Sequence, residues 1–448
     1  MRRWHGAPEL ARKLRCTLTM RSRLQRFALL ALLSALGLAP TACGGDPPPA
    51  TAAHRATPPT GSDDATSASP EATPDGGAPG AGTGDGSGAF LDTPEVDAYL
   101  TAQMQAAHAP GIAVALIKGD HIGWAKGYGL ADVDAKRPAT ADTLFMLASV
   151  SKTVMSVALM RLLEDPARHL SLDDDIDASL PFAVRNPAFP DTPITFRMLL
   201  THTSTFDGVV GLEDVSNTVN GDPPVPLHDF LAAAVAQKES WGTSKPGTAY
   251  SYSNIGASLA GYLVEAISGT SLEAYCQSEI FAPLHMNETS WFLRGLDASH
   301  IATPYEYAGG TLQPQGLYGV EFYPATELRT SATQLARFLM MFAQHGQYGG
   351  ARILKDTTVD EMRRVQLPAI DATQGLIWFT EDFQPPLIGH SGGYYGINTE
   401  MWFDPKTGSG YVLLSNGGDL IAGYSDMAIN TAWGNLNTKL AALAEALP

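Results

Sequence analysis

Three short stretches of the chain carry side chains able to do acyl chemistry, and the first is LASVSKT, Leu147–Thr153. Ser149 precedes Lys152 by three residues. A serine hydroxyl becomes a nucleophile when a neighbour takes its proton. An amine withdrawn from water can do so at neutral pH, whereas a solvated one cannot. The apolar run that follows reads as a helix opening near Val150, which puts Ser149 and Lys152 on one face, a turn apart. Ser149 would then lie at the positive end of the helix dipole, beside backbone N–H groups suited to an oxyanion. The same place suits a plain helix cap, and Ser-x-x-Lys alone does not separate the two.

The second stretch is YSYSNIG, where Tyr252-Ser253-Asn254 is the one Tyr-x-Asn of the chain. A loop asparagine beside a packing tyrosine is the bland reading. In the functional one, Tyr252 shares the proton of Ser149 with Lys152 and passes it to the leaving group, while Asn254 binds the substrate's amide or carbonyl. The third stretch is IGHSGGYYG, in which His390-Ser391-Gly392 is followed by Gly393. A glycine pair on a strand lets backbone approach a ligand closely, as an oxyanion hole requires.

In this order, S-V-S-K, Y-S-N and H-S-G resemble the three motifs of the serine β-lactamase and penicillin-binding protein superfamily. The likeness is greatest to the branch of class C β-lactamases, DD-peptidases and related esterases. ITFRMLLTHTS (Ile194–Ser204), KPGTAYSYSNIG (Lys245–Gly256) and IFAPLHMNETSW (Ile280–Trp291) fit as well, so the likeness spans roughly residues 92–440. It implies that Ser149 is acylated, that Lys152 and Tyr252 handle the proton, and that the N–H groups of Ser149 and Gly393 form the oxyanion hole. It also implies the fold, an antiparallel sheet flanked by terminal helices and facing a helical lobe. The departure is His390, where many β-lactamases have the lysine of Lys-Thr-Gly. A neutral imidazole is a weaker carboxylate anchor. The expected function is therefore acyl-enzyme hydrolysis of an amide or ester, of DD-peptidase or esterase type. A β-lactam hydrolase and a non-catalytic protein binding cell-wall peptide are the alternatives.

Two further motifs mislead. Lys406-Thr407-Gly408 follows Asp404-Pro405 between two strand-like runs and reads as a turn. Gly389–Gly393 matches G-x-S-x-G, but such enzymes place their histidine after the serine. All eleven histidines here lie at or before His390. His202, in THTS, reads as a loop-ordering residue, because a lone histidine rarely makes a metal site. Tyr394 and Tyr395 suit either a pocket wall or plain packing.

Around these motifs the elements fall into place. Thr93–Ala107 reads as a helix with Pro94 in its first turn. GIAVALIK and HIGWAKGYG read as strands joined at Gly119-Asp120. Helices and long loops dominate from Ser149 to about Met362, and inserts around Val209–Pro226 and Tyr305–Tyr323 would shape the pocket. LIGHSGG, INTEMWFDP and GYVLLSN read as strands, and a helix from about Ser425 to Leu447 closes the chain. The expected class is α+β: an antiparallel sheet built from both termini, with a helical lobe inserted between them.

Composition bounds the rest. The net charge is −17, and the first 42 residues hold eight Lys/Arg against one Glu, so the remainder stands near −24. Such a surface repels a phosphate backbone and argues against nucleic acid. The three cysteines form no C-x-x-C pair and H-E-x-x-H is absent, so neither a metal nor any other cofactor is expected. Residues 1–43 place Arg21, Arg23 and Arg26 before FALLALLSALGL and end in PTAC at Cys43. This reads as an export signal, too short for a comfortable membrane span, and resembles a bacterial lipoprotein signal with Cys43 as the lipidated residue. Residues 44–88 are rich in Pro, Ala, Gly and Ser and read as a disordered tether, with a reach on the order of 40 Å. Residues 89–448 would form the hydrolase domain, held at a membrane by its anchor, facing the periplasm or exterior, and acting on a small-molecule or peptide substrate.

Overall fold

GIAVALIK is apolar at every position but the last, the pattern of a strand covered on both faces. It forms β1 (Gly111–Lys118), which turns through Gly119, at φ +58°, into β2 (His121–Asp132). The computed structural model describes residues 89–206, 219–381, 383, 385–417 and 427–448, all within one unit beginning at Ala81. The export signal, Cys43, the tether and most of the first insert lie outside the described residues.

Thr93 caps the helix α1 (Pro94–Ala106), accepting a hydrogen bond from the Val96 N–H. After β3 (Arg137–Pro138) the chain leaves the sheet for the helical lobe. There α2 (Ser151–Leu163), α3 (Asn254–Ser268) and α4 (Ala332–Ala343) are the long helices. It returns as β4 (Phe379–Glu381), β5 (Leu387–Tyr394), β6 (Ile397–Phe403) and β7 (Gly410–Ser415), and ends in α5 (Met427–Ala446). The sheet runs β4-β5-β6-β7-β1-β2-β3, antiparallel throughout. At its centre Ile112 pairs with Ser415 and Ile117 with Gly410, so the two ends of the domain share one ladder. The α+β architecture expected from the sequence is the one observed.

Alternate residues of the central strands serve two cores. Ile112, Val114, Leu116, Tyr411 and Leu413 pack with α1 and α5, alongside Leu100, Leu436 and Leu440. Ala113, Ala115, Ile117, Val412 and Leu414 face the other way, into the core shared with α2, α3 and α4. The Lys406-Thr407-Gly408 turn joins β6 to β7, with Asp404 accepting from the Lys406 and Gly408 N–H groups, so these residues lie away from any site. Cys276 is a free, buried thiol.

One charge sits awkwardly in this frame. Glu400 of β6 is 6% exposed and accepts a 2.6 Å hydrogen bond from Trp402 Nε1. Burial pushes its carboxyl up to about 7, against the pull of Trp402 and of Asn437 on α5. The folded state thus favours the protonated form. That contribution is complete below the ordinary value of 4.5 and is lost as pH rises through about 7. Glu400→Gln is expected to melt with the parent near pH 5 and a few degrees above it near pH 8, read by calorimetry. Equal melting temperatures at both pH values would contradict this.

Candidate active site

Ser149 lies one residue short of where a cap would be useful. The α-helix begins at Ser151, and Ala148–Val150 form a 3-10 turn leading into it. The cap position falls to Val150, which makes no side-chain capping bond, so the capping role expected of Ser149 is not observed. Its hydroxyl is engaged elsewhere. Lys152 Nζ donates to Ser149 Oγ at 2.9 Å, to Asn254 Oδ1 at 2.7 Å and to the Ala325 carbonyl at 3.0 Å. Lys152 is fully buried, whereas Ser149 keeps some exposure. Ala148, just before the nucleophile candidate, has φ +46°, a left-handed conformation that costs any residue with a Cβ free energy.

The second motif is placed by the start of α3. Ser253 is its N-cap and accepts from the Gly256 N–H at 2.8 Å. That fixes Asn254 as the first helical residue, with its Oδ1 on Lys152. Tyr252 comes just before the cap. Its ring centroid is 4.9 Å from Lys152 Nζ and 4.4 Å from the imidazole of His202.

The third motif lies on β5, where Gly392 explains itself. A Cβ there would meet the Leu147 carbonyl at 2.4 Å, Thr399 Oγ1 at 2.5 Å and the Ser149 nitrogen at 2.9 Å. Only a residue without a side chain lets the strand lie against the backbone of the turn that carries Ser149. Thr399 of β6 secures this approach by donating to the Leu147 carbonyl at 2.7 Å. Gly393 is the next residue along the strand, opposite Asn398. His390 is 3% exposed, and its Nδ1 lies 2.5 Å from the Ser391 carbonyl. Ser391 is exposed and sits mid-strand, not on the strand-to-helix elbow that a G-x-S-x-G nucleophile occupies.

Beside β5 stands an aromatic wall. Tyr318 donates to the Tyr395 carbonyl at 2.6 Å, and the Tyr394 ring meets Tyr318, Phe322 and Tyr395. The backbone behind it is clamped by a buried pair, Glu327 and Arg329. Glu327 accepts from the Val320 N–H, and Arg329 donates to the Tyr318 carbonyl. Burial raises the Glu327 carboxyl well above its usual range. The second insert thus docks through Tyr318 on the residues that follow the third motif, and Val219-Asn220, past the first insert, pairs with Tyr318-Gly319.

A family model described as Beta-lactamase matches residues 96–432. The chain belongs to the beta-lactamase family. Protein flp of Staphylococcus aureus (strain N315) is 25% identical over 323 residues, which cover 72% of this chain and 62% of that protein. The chain therefore spans about three-fifths of that relative's length. The octameric penicillin-binding protein homologue from Pyrococcus abyssi is similar at 26% identity and TM-score 0.62, over 77% of this chain and 78% of that one. D-amino acid amidase from Ochrobactrum anthropi SV3, at 20% identity and TM-score 0.63, covers 79% of this chain and all of its own, a likeness of fold alone.

Within this beta-lactamase-family fold, Ser149, Lys152, Tyr252 and Asn254 come together, and β5 brings Gly392 against them. Reading residue types missed the Ala325 carbonyl, because any residue supplies one. It also missed the Glu327–Arg329 clamp, because nothing in PATELRTSAT tells that its two charges are buried. Gly392→Ala is expected to destabilise the chain by about 1–3 kcal/mol and, on the expectation that Ser149 is the nucleophile, to slow its acylation. Thermal melts and acyl-adduct rates check both, and a variant matching the parent in each would contradict the contact. Tyr318→Phe should leave the melting temperature within a few degrees and change the preference between small and bulky acyl esters, measured as the ratio of kcat/KM.

Proposed function

We propose that the protein is a serine hydrolase acting through an acyl-enzyme at Ser149, on an amide or ester of the kind DD-peptidases and esterases cleave. The observation that carries this is the 2.9 Å contact between Ser149 Oγ and a lysine nitrogen wholly removed from solvent. Ser149 Oγ attacks the carbonyl carbon and its proton passes to the Lys152–Tyr252 pair; for this step Lys152 is the neutral amine, its two N–H groups on Asn254 and the Ala325 carbonyl and its lone pair facing the Ser149 hydroxyl. The charge forming on oxygen is met by the N–H groups of Ser149 and Gly393. Collapse expels the leaving group, which takes its proton from Tyr252, and Asn254 holds the substrate amide. Water then attacks the acyl carbon, releasing the acid and restoring Ser149.

The third motif guides the substrate class. His390 is almost wholly buried, which ill suits it to grip a free carboxylate as an exposed ammonium would. That favours esters and D-amino-acid amides over β-lactams, and the amidase of similar fold points the same way. The His390-Ser391-Gly392-Gly393 run would line the acyl side of the site. Export and lipid attachment at Cys43 complete the proposal, placing the enzyme in the cell envelope. Cys43→Ala should release it from membranes and abolish fatty-acid labelling.

The test is intact mass and turnover with benzylpenicillin and with p-nitrophenyl butyrate, comparing parent and Ser149→Ala. The parent should hydrolyse the ester, and Ser149→Ala should lose turnover and any adduct while melting with the parent. A persistent penicilloyl adduct would make it a penicillin-binding peptidase, and rapid loss of the drug a β-lactam hydrolase. Turnover surviving in Ser149→Ala overturns the assignment, and muropeptide binding without any adduct would favour a non-catalytic protein.

A further inference from the structure

His202 follows the short helix Phe196–Leu200, at a position where the chain bends into a left-handed conformation, φ +55°. Glycine takes such places without strain. Four other histidines share this backbone conformation, His108, His169, His285 and His345, and all are at least partly exposed. His202 differs in being 1% exposed. A polar ring buried on strained backbone must be held by what it touches: it meets Tyr250 edge-on, with centroids 6.0 Å apart, and lies closer, at 4.4 Å, to Tyr252.

The contacts bracket that residue. The Ser251 N–H donates to the His202 carbonyl at 2.8 Å, and the Ser253 N–H donates to its Nδ1 at 3.2 Å. Between these two bonds the imidazole lies against the Tyr252 ring, centroid to centroid 4.4 Å, at 34°. Accepting from an N–H requires an unprotonated Nδ1, so the ring is the neutral Nε2–H tautomer. His202 itself is anchored from behind. The Thr203 N–H donates to the Met198 carbonyl and the Gly247 N–H to the Thr203 carbonyl, tying its loop to the segment that leads into Tyr252.

We propose that His202 is the positioning residue of Tyr252: it fixes the backbone on both sides of the tyrosine and the tilt of its ring, and so aims the hydroxyl at the leaving group. The inference rests on the hydrolase reading above, in which Tyr252 supplies that proton. A residue acting through Tyr252 should matter in proportion to how much the leaving group needs a proton. Nitrophenolate needs none, whereas ethoxide leaves poorly without one.

The experiment compares kcat/KM for p-nitrophenyl butyrate and ethyl butyrate, using the full chain and His202→Asn. Asparagine tolerates left-handed backbone and offers an amide oxygen to the Ser253 N–H, but no ring to Tyr252. The expected result is a loss of roughly tenfold or more on ethyl butyrate and less than about threefold on the nitrophenyl ester. Equal losses on both esters would make His202 merely structural and overturn the proposal, as would no loss on either. If His202→Asn shows no cooperative melt, His202→Gly, free of backbone strain, gives the same reading. A parent that turns over neither ester overturns the ester-hydrolase reading and this inference with it. A parent that turns over both, with the variant keeping its ratio, overturns the role of His202 alone.

Discussion

A lysine nitrogen with no water around it must find its hydrogen-bond acceptors in the protein, and Lys152 finds them in three separate places. Leaving such a group unpaired would cost several kcal/mol. These acceptors belong to the turn before α2, the first residue of α3 and the 3-10 turn Tyr323–Ala325. Satisfying one buried nitrogen therefore fixes the relative positions of three segments distant in sequence. The nucleophile candidate and the second motif are brought together by the same bonds that hold the helical lobe around them.

The sheet meets that arrangement through β5 and β6. Gly392 lets β5 reach the Ser149 backbone, Thr399 on β6 ties to the Leu147 carbonyl, and the Leu147 N–H in turn donates to the Leu328 carbonyl. The turn carrying Ser149 is thus held from the sheet on one side and from the lobe on the other. Left-handed Ala148 sits in the middle of these bonds, and they sustain its strain. Precision at Ser149 comes from being fastened to both halves of the domain, together with the bond from Lys152 on the helix that follows.

The sheet was legible in the sequence because its strands declare themselves. GIAVALIK is uniformly apolar, Gly119-Asp120 marks a hairpin, and the Thr93-Pro94 start of α1 follows ordinary capping chemistry. The motif residues were legible by type and order, since a Ser-x-x-Lys pair is bound to share a helical face. The errors were local. Ser149 looked like a cap, but a 3-10 turn displaced the helix start by one residue, a shift that hydrogen bonds to distant segments impose and local propensity does not reveal. His202 was readable as a loop-ordering residue, yet its partner lies fifty residues away and nothing in THTS names it. Tyr394 and Tyr395 were readable as a wall or as plain packing, but the partner was hidden for the same reason, because Tyr318 lies some eighty residues away in the second insert.

The pairing of β1 with β7 has a consequence for how the chain is made. Ile112 cannot enter its ladder until Ser415 exists, three hundred residues later. Contacts that distant in sequence are closed late and against a large loop entropy. The strand that lies against the Ser149 turn is supplied by the same late segment. The geometry around Ser149 is thus completed by a segment lying some three hundred residues beyond β1, not by its own neighbours in sequence.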